Sequence, residues 1–381
     1  MNCKFFFSYK IDFKSAFSIV ILILNILIVL ISQYTFNQRG YFTQLFEYGR
    51  VLDIQSETLE SDPYVPGCKL GSQIMKIEIL SGEEKGSIYE IHNTLSSSHN
   101  VEAEKGKKYV FSIREEEGKD KVVWLYNYNR LPVLIGLLAF FILIILLIAG
   151  KQGFRSLLAL SFTAIMILFV MVPLILRGMD PIALSLFCLS LMTLVSFLLL
   201  TGWSRKTLIA LLGTIGGILA AGLVSLVASG MAHLSGINLD KGEQILYIAR
   251  DFGIRIHGFL FISILIASLG AVMDVAMSLA SSMEEIKKHN PGISAREHFK
   301  SGMIIGRDLI GTMVNTLILA FTGSSFTLIL MIAGLSMAFR QFINIPLIAI
   351  EIIQALAGSI GIIFSVPLTN ILATLLHSKE T

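Results

Sequence analysis

Residues 131–200 read LPVLIGLLAFFILIILLIAGKQGFRSLLALSFTAIMILFVMVPLILRGMDPIALSLFCLSLMTLVSFLLL. The charges in this stretch are Lys151, Arg155, Arg177 and Asp180, gathered in two short interruptions. A bilayer core needs about 20 mostly apolar residues per helix. The stretch therefore predicts three membrane passages, at 131–148, 156–176 and 182–200.

The same pattern recurs on both sides. Further passages are expected at 17–33, 207–228, 256–277, 303–321, 326–338 and 347–376. Lys4, Lys10 and Lys14 precede the first, and Tyr34-Thr35-Phe36-Asn37 follows it instead of a small-x-small cleavage site. It reads as an uncleaved anchor with a cytoplasmic N-terminus. On that count Lys151/Arg155 and Arg205/Lys206 fall inside and Arg177-Gly178-Met179-Asp180 falls outside, as the positive-inside rule asks. Residues 231–254 read as an outer loop with a short amphipathic helix, capped by Asp240 and Glu243. Residues 278–302 read as a cytoplasmic loop with a turn at Asn290-Pro291-Gly292 and a Ser294/Glu297 capping pair. The last stretch would form about 45 Å of helix, beyond the hydrocarbon thickness. With Gly358-Ser359-Ile360-Gly361 and Pro367 inside, it reads as tilted or broken. The fold class is a polytopic all-α membrane bundle of about eight to nine spans. The C-terminus falls outside, or inside if the last stretch adds a half-span.

Composition agrees. Charged residues make up 15% of the 381 and mean hydropathy is +0.74. Soluble chains carry about 25% charge, so a cytosolic enzyme is excluded. Residues 35–130 hold 27 of the 57 charges, 12 Lys/Arg against 15 Asp/Glu. They form an extracytoplasmic module between the tail and anchor, 1–34, and the polytopic domain, 131–381. Residues 74–80, 108–113 and 122–126 read as strands, with turns at 81–86 and 116–119. Five or six such strands suggest a small barrel of OB or SH3-like size. The module is then a structural cap, or it binds a ligand, a protein partner or an envelope component. No aromatic platform is legible in it. His92 and His99, seven apart, leave the metal question open. Cys3, Cys68 and Cys188 fall in a tail, the module and a span, so no intramolecular disulfide is expected. No basic stripe points to nucleic acid.

An ionisable group inside a span costs several kcal/mol unless paired or wet, so each is a functional candidate. Asp274, Arg307, Asp308 and Glu351, with Arg340, are expected near the inner ends of their spans, at one depth facing the cytoplasm. Asp308, Thr312 and Asn315 share a helix face, and so do Glu351, Gln354 and Gly358. These residues act either as interhelical locks, such as Asp274 with Arg307 or Glu351 with Arg340, or as a site for an ion, proton or small solute. Gly323-Ser324-Ser325, Gly358, Gly361 and Pro367 read as helix breaks of the kind that line cavities. The simpler reading of glycine is close packing, expected outright of Gly213, Gly217 and Ala221. His233 and His257 sit at outer span ends, and Arg255 and His257 read as interface residues. No HExxH, GxSxG, P-loop or CxxC motif is present, so no catalytic residue, enzymatic activity or cofactor is expected.

Residues 267–278, ASLGAVMDVAMS, resemble one signature of the YibE/F family of bacterial membrane proteins. Residues 306–317, GRDLIGTMVNTL, resemble a second, and Gly358-Ser359-Ile360-Gly361 followed by Val366-Pro367-Leu368-Thr369 a third. The order of these motifs, the β module and the length fit as well. The resemblance implies a Gram-positive bacterial plasma-membrane protein and marks Asp274, Arg307, Asp308, Asn315 and the Gly-Ser-Ile-Gly segment. It implies little chemistry. The expected function is a permease-like transporter of an unidentified small solute or ion. Asp274, Asp308 and Glu351 would supply carboxylates, Asn315 and Thr312 neutral ligands, and Arg307 the charge balance. The alternative is a non-transporting scaffold or sensor whose β module binds a partner.

Overall fold

The computed structural model describes residues 13–36, 44–114, 121–239, 242–253, 256 and 258–378. Expectations resting on Cys3, Lys4, Lys10, the turn at 116–119, the Asp240/Glu243 cap, Arg255 and His257 lie outside them. In chain order the elements are α1 (Phe13–Phe36), β1 (Gln44–Ser61), β2 (Lys69–Ile79), β3 (Ile88–Leu95), β4 (Lys108–Arg114) and β5 (Val122–Tyr128). Then come α2 (Leu131–Ile165), a π-helical turn at Met166–Met171, α3 (Val172–Leu176), α4 (Pro181–Thr201), α5 (Arg205–Met231) and α6 (Gly242–Phe252). The chain ends with α7 (Phe259–His289), α8 (Ala295–Ser324), α9 (Phe326–Gly334), α10 (Phe339–Phe342) and α11 (Pro346–Ser378). It divides into two compact units, Tyr34–Ile148 and the combination of Met1–Gln33 with Ala149–Thr381.

The strand unit is one antiparallel sheet in the order β3-β2-β1-β4-β5. β1 is 18 residues long and pairs with β4 through its first half and with β2 from Gly49 onward. Two irregularities, after Val51 and after Ile54, bend it between those partners. The edge strands β3 and β5 approach each other, so the sheet curls into a barrel-like shape. Strict alternation puts Ile91, Asn93 and Leu95 inside and His92 and Thr94 outside. Val51, Met75, Ile77, Tyr109, Phe111 and Leu125 fill the interior. Two buried amides are bonded: Gln73 Nε2 donates to Ala103 O, and Asn93 Nδ2 donates to Gln73 Oε1 and Val101 O. They hold the β3–β4 loop over the core at no desolvation deficit.

The helical unit is built on α5, α7, α8 and α11, with α4 against α5 and α7. Among the described residues, seven helices are long and apolar enough to cross a membrane. The longest, Leu131–Leu176, has 46 residues, or about 69 Å of helix, enough for two passages. It turns at Gly150, whose φ of 50° and ψ of −127° suit glycine alone. The linker that sequence placed between two spans is thus a single residue's turn. Asp180 caps α4 through Ala183 N, and Ser294 and Glu297 form the expected capping box on α8.

Two expectations fail. The span at 326–338 is the nine-residue α9, about 14 Å long, too short to cross. And of the two readings of the last stretch, tilted or broken, the break fails: α11 is one continuous helix through Gly358, Gly361 and Pro367. The two glycines serve contact: a Cβ on Gly361 would stand 2.9 Å from both Ala221 Cβ and Gly217 O. A Cβ on Gly217 would stand 2.7 Å from Val272 Cγ1 and 2.8 Å from Gly361 O. Small residues let α5 and α11 touch backbone to backbone.

Those contacts fix depth. Gly217 faces Ser365 on α11 and Gly213 faces Thr369, so the helices run antiparallel. Gly302 faces Asn370, Gly306 faces Val366 and Leu317 faces Gly358, so α8 and α11 do too. The C-terminal end of α11 therefore lies with the start of α8 and of α5. Arg205 donates to Leu376 O, Lys206 bridges Glu284 at 3.3 Å, and Lys14 lies beside Gly202. This end also holds Lys287, Lys288, Arg296 and Lys300, and is strongly basic.

Candidate functional site

Two features of the sequence converge on one groove. α8 stops at Ser324, Ser325 caps it, and α9 starts at Phe326. Because α9 does not cross, α11 begins at the end of the bundle where α8 finishes. Between α8, α9, α10 and the first turns of α11 lies a groove of about 500 Å³. Its wall is almost wholly apolar, from Ile318 and Phe321 to Leu328, Ile332, Ile348 and Ile352. Glu351, Ser325 and Thr322 are the polar exceptions. Glu351 Oε2 and Ser325 Oγ are fully buried and have no hydrogen-bond partner among the described residues. Two acceptor oxygens so placed leave lone pairs that a donor or a cation could meet.

This placement corrects the sequence reading. The α8–α11 register sets Glu351 level with Phe321–Ser325, not with Asp308. Fourteen residues of α8, about 21 Å, separate Asp308 from Thr322. Counting α9 as a full passage had carried α11 to the wrong end. The expected locks are also absent. Among the described residues Asp274, Arg307, Asp308, Arg340 and Glu351 form no ion pair. The first three lie exposed on the surface of the single chain. Asp274 is level with Gly311, since Met283 stands against Gly302 and Ser268 stands with Leu317 at Gly358.

What joins the two ends is one face of α8. Asp308, Gly311, Asn315, Ile318, Thr322 and Ser325 follow at alternating spacings of three and four, a single stripe. Its last three residues line the groove, and its first three lie exposed. Asn315 has no hydrogen-bond partner among the described residues. Thr322 Oγ1 donates to Ile318 O at 2.8 Å, Thr316 Oγ1 to Thr312 O at 2.9 Å, and Thr312 Oγ1 to Leu309 O at 3.1 Å. Each hydroxyl proton is thus used within the helix, and the oxygen lone pairs remain for a ligand. Gln354 is half-buried one turn beyond Glu351 and outside the groove wall. Gly323 is exposed, with open space around its Cα.

The family comparison covers these residues. The family model described as YibE/F-like protein matches residues 137–379. The chain belongs to the YibE/F-like family. All three signature segments fall inside the YibE/F-like region, and the strand unit precedes it. No curated protein and no solved structure matches the chain. Among the described residues no three His, Cys, Asp or Glu side chains gather to hold a metal.

One constellation escaped sequence reasoning. His298 and His377 are buried at the basic end, with ring centroids 5.5 Å apart, beside a cavity of about 240 Å³ that Lys287 and Ser294 also line. His298 Nε2 donates to Met283 O at 3.0 Å. The two histidines are 79 positions apart, and only the antiparallel α8–α11 register brings them together.

Proposed function

We propose that this YibE/F-like protein is a multi-pass plasma-membrane permease for a small solute or ion. The observation that carries the reading is the α8 stripe from Asp308 through Asn315 to Thr322, ending in the groove with the partnerless Glu351 carboxylate. Intramembrane carboxylates and amides without internal partners mark solute pathways. The basic end, with Lys14, Arg205, Lys206, Lys287, Arg296 and Lys300, is cytoplasmic by the positive-inside rule. Asp308 then stands near the cytoplasmic mouth and Glu351 toward the outer one. The strand unit follows α1, whose basic start lies at the cytoplasmic end, and is extracytoplasmic. The sequence carries no nucleotide-binding signature, so any transport would be secondary or channel-like, or would depend on a partner ATPase.

The test is flux in proteoliposomes, preceded by a solute screen comparing cells with and without the gene. Asp308→Asn and Glu351→Gln should each lower the flux the parent shows, about tenfold or more for Asp308→Asn, with folding intact. Unchanged flux in both would refute the reading. A second reading rests on the exposure of Arg307, Asp308, Thr312 and Asn315 on one chain. A scaffold or sensor would use that face to hold a membrane partner. It predicts that Asp308→Asn weakens capture of that partner, and that the reconstituted protein alone carries no flux for either carboxylate change to alter.

A further inference from the structure

The strand unit has one face unlike the rest of its surface. Cross-strand register sets Phe46 beside Ser112 and Ser112 beside Trp124 across β1, β4 and β5. Tyr48 stands beside Val110, Arg50 beside Lys108, and Gln44 beside Arg114, which pairs with Val122. Apart from Ser112, which is fully buried between Phe46 and Trp124, the positions beyond Gln44 are exposed or half-buried and alternate with buried Gly49, Phe111, Ile113 and Leu125, so they point away from the barrel interior. A bulge brings Tyr126 to the same side, where its ring meets Phe46 edge-on at 4.8 Å. Phe46 is 50% exposed and Tyr126 48%. Arg50, Lys108 and Arg114 are exposed and form no ion pair among the described residues. Where the three strands pair with one another, over 44–50, 108–114 and 122–127, the outward positions hold four aromatics and three basic groups and no carboxylate. The segment around them has more acids than bases, and the first acid met is Glu78 on β2, across from Arg50.

Large aromatics with a polar edge and cations with long apolar stems are the side chains that settle at a bilayer surface. This face is tied to one covalently. β5 ends at Tyr128, Arg130 stands over the Tyr128 ring, and the apolar run of α2 starts at Leu131 in the same compact unit. We propose that the β1–β4–β5 face lies on the outer membrane surface that α2 enters. Phe46, Trp124 and Tyr126 then sit among the headgroups, and Arg50, Lys108 and Arg114 against anionic lipid phosphates. The idea is independent of any transported solute.

The chain has two tryptophans, and Trp203 is 80% exposed, so Trp203→Phe leaves Trp124 as the sole reporter without disturbing a core. The full-length protein is placed in nanodiscs containing phosphatidylglycerol, with lipids nitroxide-labelled at the headgroup. Trp124 emission should be blue-shifted, lose most of its intensity to the labelled lipid and resist aqueous iodide. Arg50→Glu with Lys108→Glu and Arg114→Glu should restore much of that emission. Trp124 quenched by iodide and untouched by labelled lipid would overturn the proposal. So would Trp124 shielded only when a soluble single-stranded oligonucleotide or an anionic polysaccharide is added.

Discussion

The two sides of α11 differ sharply. Toward α5 the helix is sealed: Gly217, Ala221, Gly361 and Ser365 meet with no room for another carbon. Toward α8 and α9 it borders a groove of about 500 Å³ with a partnerless carboxylate. Gly358 and Gly361, which read as breaks in the sequence, sit instead in close helix contacts. The opening lies beside α8, where α9 is too short to cross and covers only the first turns of α11. Packing, not glycine content, decides which side can hold a solute.

The largest effect should follow from breaking the seal. Gly217→Leu drives a side chain into Val272 and the Gly361 carbonyl, which cannot yield, and should cost about 3 kcal/mol in a denaturant titration in detergent. Gly311→Ala, on the open stripe with nothing within 4 Å, should be neutral or gain up to about 1 kcal/mol. Equal losses at both positions would erase the distinction. On the open side, Asp308→Asn should lower flux about tenfold or more, the worth of one charge-assisted contact. Glu351→Gln should lower flux as well, yet raise stability by about 1 kcal/mol by removing a carboxylate no donor meets. A destabilised Glu351→Gln would mean that the carboxylate is already paired.

The smallest effect concerns the strand unit. Hydrogen bonds from Lys121, Tyr89 and Ser87 hold the Glu84 carboxyl below the usual glutamate range. A depressed carboxyl stabilises the fold above its unfolded value and stops doing so as pH falls through the folded one. Hydrogen exchange around the β2–β3 turn should therefore accelerate on acidification below that range, and Glu84→Gln should flatten the response. Exchange in the helical seam, which has no such group, should not follow it.

Much of this was legible in the sequence. Runs such as 131–148 and 182–200 announce helices by length and apolarity alone, and residues 74–80 and 108–113 announce strands by their residue types. The capping box at Ser294/Glu297 is local chemistry and was readable as such. Depth was not. One apolar run, 326–338, is long enough to suggest a passage, and only its packing shows that it stops after nine residues. Because α9 stops short, Glu351 lies at the opposite end of the bundle from Asp308. The aromatic face was hidden for a different reason: Phe46 and Trp124 are 78 positions apart and meet only through β4.

The α8 stripe can be tested most directly by water accessibility. With Cys3, Cys68 and Cys188 replaced, single cysteines are placed along 307–325 of the full-length protein in membranes and challenged with a membrane-impermeant thiol reagent. Labelling should rise at 308, 311, 315, 318 and 322 and fall at Leu317, which is buried against the bundle. Silence at 311, 315 and 318, with labelling confined to the helix ends, would mean that lipid covers this face, and no solute path runs along α8.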